Sequence, residues 1–191
     1  MASEINKSID DHLSLIQSMK DDQDILDKTS RVIDMLVSCF ASGNKVLLCG
    51  NGGSAADAEH IAAELSGKFN LDRAALFAEA LHVNSAALTA ISNDYGYENL
   101  FSRMLEAKGR KEDVLLAYST SGSSVNVLKA LATAKKLGLK VVSFHGSASN
   151  EMEAFSDIDF MINSRDTARI QESYMLFSHI ICEQVEKRIF G

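Results

Sequence analysis

The sequence contains no proline and no tryptophan, and aromatic residues make up only 7% of it. So few aromatic side chains argue against a surface that stacks the bases of single-stranded nucleic acid. No apolar run approaches the roughly 18 residues of a membrane span, and the polar N-terminal segment MASEINKSIDDH is not expected to act as a secretory signal. The net charge of −7 excludes an overall field that attracts nucleic acid or anionic membranes. An anionic ligand must therefore be held by local dipoles and hydrogen bonds.

Cysteine is scarce as well, with only Cys39, Cys49 and Cys182 in the chain. Three cysteines cannot all pair within one chain, no two of them have C-x-x-C spacing, and each lies in an apolar segment. We expect buried free thiols and a cytoplasmic protein.

Short apolar runs alternate with helical patterns along the 191 residues. Continuous apolar runs are typical of strands buried on both faces of a parallel sheet, and they occur at 45–49, 114–118, 141–144 and 158–162, with a further candidate at 74–81. Helical spacing occurs at 5–19, 25–40, 55–68, 85–92, 98–108, 125–137 and 167–189. This order predicts an α/β three-layer sandwich with a parallel sheet, two N-terminal helices and a long C-terminal helix. We expect one domain, 1–191, in which about 1–43 is a helical extension.

Two loops follow predicted strands, where ligands of open α/β sheets collect. The first, 50–54 (GNGGS), has three glycines that allow a tight turn and close approach to a ligand. Ser54 and Asp57 resemble a capping box at the start of the next helix. The second, 119–124 (STSGSS), combines hydroxyl donors with the N-terminus of a helix, which is suited to phosphate without net positive charge.

Each loop also has a plainer interpretation, because a glycine-rich turn is often only a turn and a serine cluster is often solvated. The pattern G-x-x-x-x-G-K-[ST] is absent, and 50–53 does not fit G-x-G-x-x-G. A nucleotide triphosphatase and a dinucleotide-binding fold are therefore disfavoured.

Acid–base or metal chemistry is indicated by residues that share helix faces. His60 and Glu64 are four residues apart, and Gln171 and His179 are eight apart on the last helix. This set suits proton transfer or a metal site. Spacing alone favours a surface pair for His60 and Glu64, and His179 fits a core histidine equally well. The other histidines, His12, His82 and His145, have no motif around them and are expected to be structural.

Several long motifs resemble the phosphoheptose isomerase family, which is built on a sugar-isomerase (SIS) domain. They are 49–60 (CGNGGSAADAEH), 63–67 (AELSG), 92–96 (SNDYG), 119–122 (STSG) and 167–172 (TARIQE), and the resemblance covers nearly the whole chain. It implies a flavodoxin-like SIS fold and isomerisation of sedoheptulose 7-phosphate to D-glycero-D-manno-heptose 7-phosphate for nucleotide-activated heptoses. The segment 145–149 (HGSAS) departs from the family by replacing a more glycine-rich loop.

The resemblance also implies the roles of single residues. The acid–base pair would be Glu64 and His179, and zinc would be bound by His60, Glu64, Gln171 and His179. The residues expected to bind the phosphosugar are Asn51, Gly52, Gly53, Glu64, Asn93, Asp94, Ser119, Thr120, Ser121, Ser124 and Gln171.

Apolar stripes on the first two helices and on the last are more than a small sheet can bury. They predict self-association, which the resemblance sharpens to a homotetramer with no nucleic-acid or membrane partner. The alternative function is a non-catalytic SIS protein that binds a phosphosugar or a replication initiator. The presence of both Glu64 and His179 favours the enzyme.

Overall fold

The computed structural model describes residues 1–191 and contains a five-stranded sheet in which every neighbouring pair of strands is parallel. The strands are β1 (Val46–Cys49), β2 (Ala78–Ala80), β3 (Val114–Ser119), β4 (Lys140–Gly146) and β5 (Ile158–Ile162). Their order across the sheet is β2-β1-β3-β4-β5. All five segments that the sequence predicted as strands form strands.

Seven helices surround this sheet: α1 (Ala2–Lys20), α2 (Gln23–Ala41), α3 (Gly53–Ser66), α4 (Ser85–Tyr95), α5 (Leu100–Lys108), α6 (Val125–Leu137) and α7 (Thr167–Phe190). Two short 3₁₀ turns, Tyr97–Asn99 and Glu153–Phe155, lie between them. One apolar cluster joins α2, α3 and α7 to one face of the sheet, and a second joins α5 and α6 to the other. The predicted three-layer α/β sandwich is confirmed.

Strands β1 and β3 are buried along their whole length, which explains their unbroken apolar sequences. Alternate residues of β1 face opposite layers: Leu48 belongs to the first cluster and Leu47 to the second. The two strands are neighbours, and Cys49 pairs in register with Ala117. The glycine-rich loop after β1 and the serine-rich loop after β3 therefore start side by side at one edge of the sheet.

The prediction that the sheet cannot bury the apolar stripes of the terminal helices is wrong for two of the three helices. The stripes of α2 and α7 are buried, because these helices pack on each other and on the sheet within the first cluster. Helix α1 differs, since Ile5, Ile9 and Leu13 are each more than half exposed.

All three cysteines are buried and free, as expected. Burial raises the pKa of each thiol to about 12, which keeps it protonated. None of the helices combines the length and the apolar character needed to cross a membrane.

Candidate active site

The glycine-rich loop connects β1 directly to α3 through a turn at Gly52, whose φ is +56°. Gly52 is also the N-cap residue of α3, and its carbonyl accepts hydrogen bonds from the amides of Ala55 and Ala56. A Cβ atom on Gly53 would collide with the side-chain amide of Gln171 on α7. The Gln171 side chain could shift to relieve that contact, whereas a Cβ atom on Gly50 would collide with the backbone carbonyl of Ser54, so the loop needs glycine at 52 for its turn and at 50 for its close approach to α3.

The predicted capping box of Ser54 and Asp57 does not form. Instead the Ser54 hydroxyl lies 2.7 Å from the hydroxyl of Tyr174, which donates to Asp57 Oδ2 at 2.9 Å. Gln171 Nε2 also donates to Asp57 Oδ2, at 3.3 Å. Both polar groups turn away from the helix end because α7 crosses beside it and supplies partners. Burial raises the pKa of Asp57, and the bonds from Tyr174 and Gln171 oppose that rise.

Asn51 joins the two loops. Its side-chain amide donates to Asn126 Oδ1 and accepts from Asn126 Nδ2, both at 2.8 Å. The hydroxyl of Tyr97 donates to Asn51 Oδ1, also at 2.8 Å. An open groove of ≈ 330 Å³ lies here, lined by Asn51, Tyr97, Glu98, Ser124, Val125 and Asn126.

Three hydroxyl groups of the serine-rich loop converge at the N-terminus of α6. Ser119 Oγ lies 3.1 Å from Ser124 Oγ and 3.4 Å from Ser121 Oγ, and the last two are 3.5 Å apart. The chain turns at Gly122, whose φ is +69°, and the first turn of α6 has no acidic side chain. Thr120 is outside this cluster, and its carbonyl accepts from the amide of Gly146. The hydroxyls and the helix N-terminus together form an arrangement that can hold a phosphate.

The imidazoles of His60 on α3 and His179 on α7 meet, with their Nε2 atoms 2.8 Å apart. Glu64 Oε1 lies 3.6 Å from His60 Nε2, and the Glu64 side chain is one-quarter exposed. The ring of Phe69 lies 5.9 Å from that of His179. The structure thus brings three of the four predicted acid–base or metal-binding residues into one accessible cluster.

The remaining predicted residues lie apart from that cluster. Gln171 is held by Asp57, about two helical turns before His179 on α7. Asn93 and Asp94 are exposed in the last turn of α4, where Asn93 donates to Asp94 at 2.8 Å. They are close in sequence to Tyr97, which contacts Asn51. Their contact with a sugar stays a prediction.

Residues 9–146 match the family model described as the SIS domain. The phosphoheptose isomerase of Burkholderia pseudomallei is 46% identical over 187 residues, which is 98% of this chain and 95% of that protein. The enzyme of the same name from Clostridium acetobutylicum is 45% identical over 91% of this chain and 88% of its own length. The chain belongs to the phosphoheptose isomerase family.

A solved structure agrees with this assignment. The phosphoheptose isomerase of Neisseria gonorrhoeae superposes with a TM-score of 0.90 at 33% identity, covering 97% of this chain and 98% of that one. This phosphoheptose isomerase family member is therefore an isomerase on an SIS-type fold.

The donor chemistry of His60, His179 and Glu64 fits zinc, which takes imidazole nitrogen and carboxylate oxygen in proteins. Their arrangement does not yet form a metal centre, because the two imidazole nitrogens bond each other directly and Gln171 is bonded to Asp57. No cluster of three or more His, Cys, Asp or Glu side chains in residues 1–191 has the geometry to hold an ion. The zinc set stays a prediction.

Sequence reasoning missed Asn126, Tyr97 and Tyr174, which hold the loops in place. Asn126 could have been found from the sequence, since it is a polar residue between Val125 and Val127 at the start of a core-facing helix. In the structure it is only 4% exposed. Tyr97 and Tyr174 gave none, because their partners are distant in sequence.

Proposed function

We propose that the chain interconverts sedoheptulose 7-phosphate and D-glycero-D-manno-heptose 7-phosphate, in the biosynthesis of nucleotide-activated heptoses. The contact of His60, Glu64 and His179, in a chain that also carries a phosphate-type loop, is the observation that carries this proposal. A silent phosphosugar-binding protein has no need for such an accessible acid–base cluster.

The reaction moves one proton between adjacent carbons and one between adjacent oxygens. In the proposed direction, the Glu64 carboxylate removes a proton from C1 of the ketose while the C2 carbonyl oxygen gains a proton, which gives an enediol. The proton then returns to C2, and the O1 hydroxyl loses its proton as the aldehyde forms. His179 moves the protons on the two oxygens. His60 keeps the His179 ring oriented through the contact between their Nε2 atoms.

The phosphate is assigned to the hydroxyl cluster of Ser119, Ser121 and Ser124, with Thr120 beside it. Ser121 is exposed and available to a ligand. Because the protein is acidic, the negative charge of the phosphate would be stabilised by hydroxyl donors and by the N-terminus of α6 rather than by a basic side chain. Asn51, Gly52, Gly53, Asn93 and Asp94 are assigned to the sugar chain.

We further propose zinc at His60, Glu64 and His179, with Gln171 as fourth ligand once it leaves Asp57. Bound there, zinc would polarise a carbonyl oxygen as a Lewis acid. Metal analysis of the purified protein by mass spectrometry tests this, with His60→Ala as the variant that loses the metal. Wild-type protein that binds no zinc under metal-replete conditions would contradict the assignment.

A homotetramer in the cytoplasm is the proposed state of the enzyme, and its sites are proposed to be shared between protomers. Glu64 lies eleven residues along α3 from Gly53, roughly 16 Å, and the hydroxyl cluster lies on the next strand beyond. This separation is longer than an extended heptose phosphate. The acid–base cluster of one protomer would therefore work with the loop of another.

The deciding experiment incubates the purified protein with sedoheptulose 7-phosphate and follows aldose formation, with unphosphorylated sedoheptulose as the control. We expect turnover of the phosphorylated sugar alone. Equal rates on both sugars would contradict the role of the loop.

Mixed assemblies test the sharing of sites. Co-refolding Glu64→Gln chains with Ser121→Ala chains should restore activity on dilute substrate, because some sites then combine an intact pair with an intact loop. If no activity returns although mixed tetramers form, each site lies within one chain.

A further inference from the structure

His145, at the end of β4, lies directly behind the serine-rich loop. It pairs in register with Ser119, and the next residue, Gly146, donates its amide to the Thr120 carbonyl at 3.2 Å. A Cβ atom on Gly122 would lie 3.2 Å from His145 Nδ1. The imidazole is wholly buried, so it can influence a ligand only through the loop in front of it.

Both ring nitrogens of His145 face hydrogen-bond acceptors. Nδ1 lies 2.8 Å from the carbonyl oxygen of Gly146, and Nε2 lies 3.0 Å from Asp159 Oδ2. The other oxygen of Asp159 accepts from Ser143, whose hydroxyl also contacts Ser156. A carbonyl and an ionised carboxylate only accept hydrogen bonds, so a ring that donates to both of them is an imidazolium.

The charges around the ring agree with this protonation. Burial lowers the pKa of His145, but the hydrogen bond and charge of Asp159, the Gly146 carbonyl and the charge of Glu153 together raise it above its usual value. Asp159 on β5 and Glu153 on the second 3₁₀ turn are the charged groups that act on it.

The His145–Asp159 pair has a defined orientation towards the serine-rich loop. The carboxylate binds Nε2, whereas Nδ1 is the nitrogen that approaches Gly122 and Gly146. The positive end of the His145–Asp159 dipole is therefore directed at a loop that has hydroxyl groups but no Lys or Arg between 119 and 124.

We propose that His145, held by Asp159, is a positioning residue that fixes the serine-rich loop and directs a buried positive charge at the bound phosphate. The inference rests on the proposed phosphate-binding role of this loop. It explains how an acidic protein can hold a dianion without a basic side chain in contact with it.

The substitution Asp159→Asn removes the charge of the His145–Asp159 pair while keeping the shape of the side chain at position 159. The asparagine amide can donate to Nε2 while Nδ1–H still donates to Gly146, so the hydrogen bonds persist with a neutral ring. We expect the affinity for inorganic phosphate, measured as competitive inhibition and by calorimetry at one pH and salt concentration, to fall roughly threefold to tenfold. The KM for the phosphosugar should rise similarly while kcat stays within about twofold. Glu106→Gln, on the exposed surface of α5 where Glu106 pairs with Arg103, is the matched control.

Nitrogen NMR of the histidine side chains reads the protonation directly. At pH 7 we expect the imidazolium pattern for His145 in the wild type and a neutral ring in Asp159→Asn. A neutral ring in the wild type would overturn the inference, even where the variant does not fold. Unchanged phosphate affinity in a folded Asp159→Asn protein would overturn it as well.

The same data separate this inference from the proposed reaction. A wild type that binds phosphate with a charged His145, yet does not isomerise the heptose phosphate, overturns only the reaction. A wild type that binds no phosphate overturns both.

Discussion

The side-chain amides of Asn51 and Asn126 hydrogen-bond to each other twice, each donating to the other at 2.8 Å. Asn51 belongs to the glycine-rich loop after β1 and Asn126 to the first turn of α6, so this pair fixes the distance between the glycine-rich loop and the helix that follows the serine-rich loop. Two reciprocal bonds also define the orientation of both amides, which a single bond would leave free.

Asn126→Ala should therefore loosen both loops together. Leaving the Asn51 amide without its partner should lower the free energy of unfolding by about 1–3 kcal/mol, and it should lower kcat/KM because the loops no longer keep their spacing. Urea denaturation and steady-state kinetics measure the two effects, with the exposed Asn150→Ala as control. Unaltered kcat/KM would mean that the pair is only structural.

Glu64→Gln should abolish isomerisation while the substrate still binds, because the amide keeps the shape of the side chain but cannot accept the carbon-bound proton. We expect turnover to fall by about a hundredfold or more. Kinetics combined with calorimetric titration of the substrate check this. Near-normal turnover would remove Glu64 from the mechanism.

Ser121→Ala should act mainly on binding. A hydrogen bond to a charged group is worth about 1.5–3 kcal/mol, so the KM for the phosphosugar should rise at least tenfold with a smaller change in kcat. Ser123→Ala is the matched control, since the Ser123 hydroxyl is outside the convergent cluster. Equal effects of the two substitutions would argue against the cluster as the phosphate site.

Glu186 should make stability depend on pH in the acid range. Burial alone would raise its pKa, but the amides of residues 69–71 and the Arg73 guanidinium together lower it to about 2. A lowered pKa gives stability that is complete above the ordinary carboxyl range and is lost as the pH falls from about 4.5 towards 2.

Glu186→Gln should remove that pH dependence and destabilise the protein at neutral pH by about 3–5 kcal/mol, because Arg73 is then buried without its partner. Denaturation at a series of pH values measures both effects. The partly exposed Glu183→Gln, one turn earlier on α7, controls for the loss of a surface pair. A wild type as stable at pH 3 as at pH 6 would contradict the role of Glu186.

Ile9→Asp on α1 should change assembly without unfolding the chain, since Ile9 is 52% exposed and surface substitutions usually shift stability by less than about 0.5 kcal/mol. We expect light scattering to show smaller species and activity to fall with them. Ser14→Asp is the control on another exposed position of α1. A fully active monomer of either protein would refute shared sites.

Much of this architecture was predictable because its signals are local. The apolar runs of β1 and β3 report burial on both faces, and the loops after them are recognisable from glycine and serine content. The contact of His60 with His179 also follows from spacing once α3 and α7 are known to pack together. The amphipathic pattern of each helix could not predict that α3 and α7 pack together on one face of the sheet.

The errors share a cause, which is that partners from distant segments changed the outcome. Ser54 and Asp57 have capping spacing, yet Tyr174 and Gln171 from α7 bind them instead. The stripe of α7 predicted a surface for another chain, yet α2 covers it. For the same reason the sequence did not predict that Asn126 contacts Asn51 or that His145 lies behind the serine-rich loop.

The complete burial of β1 and β3 bears on how readily different parts of the molecule open and move. We expect amide hydrogens in these strands to exchange with deuterium only when the whole sheet opens, and those of α4, which has no buried residues, to exchange through local fraying. The floor of the site should therefore move little during turnover. We expect adjustment to sugars of different shapes to occur in α4 and in the turn Tyr97–Asn99, which have no buried residues.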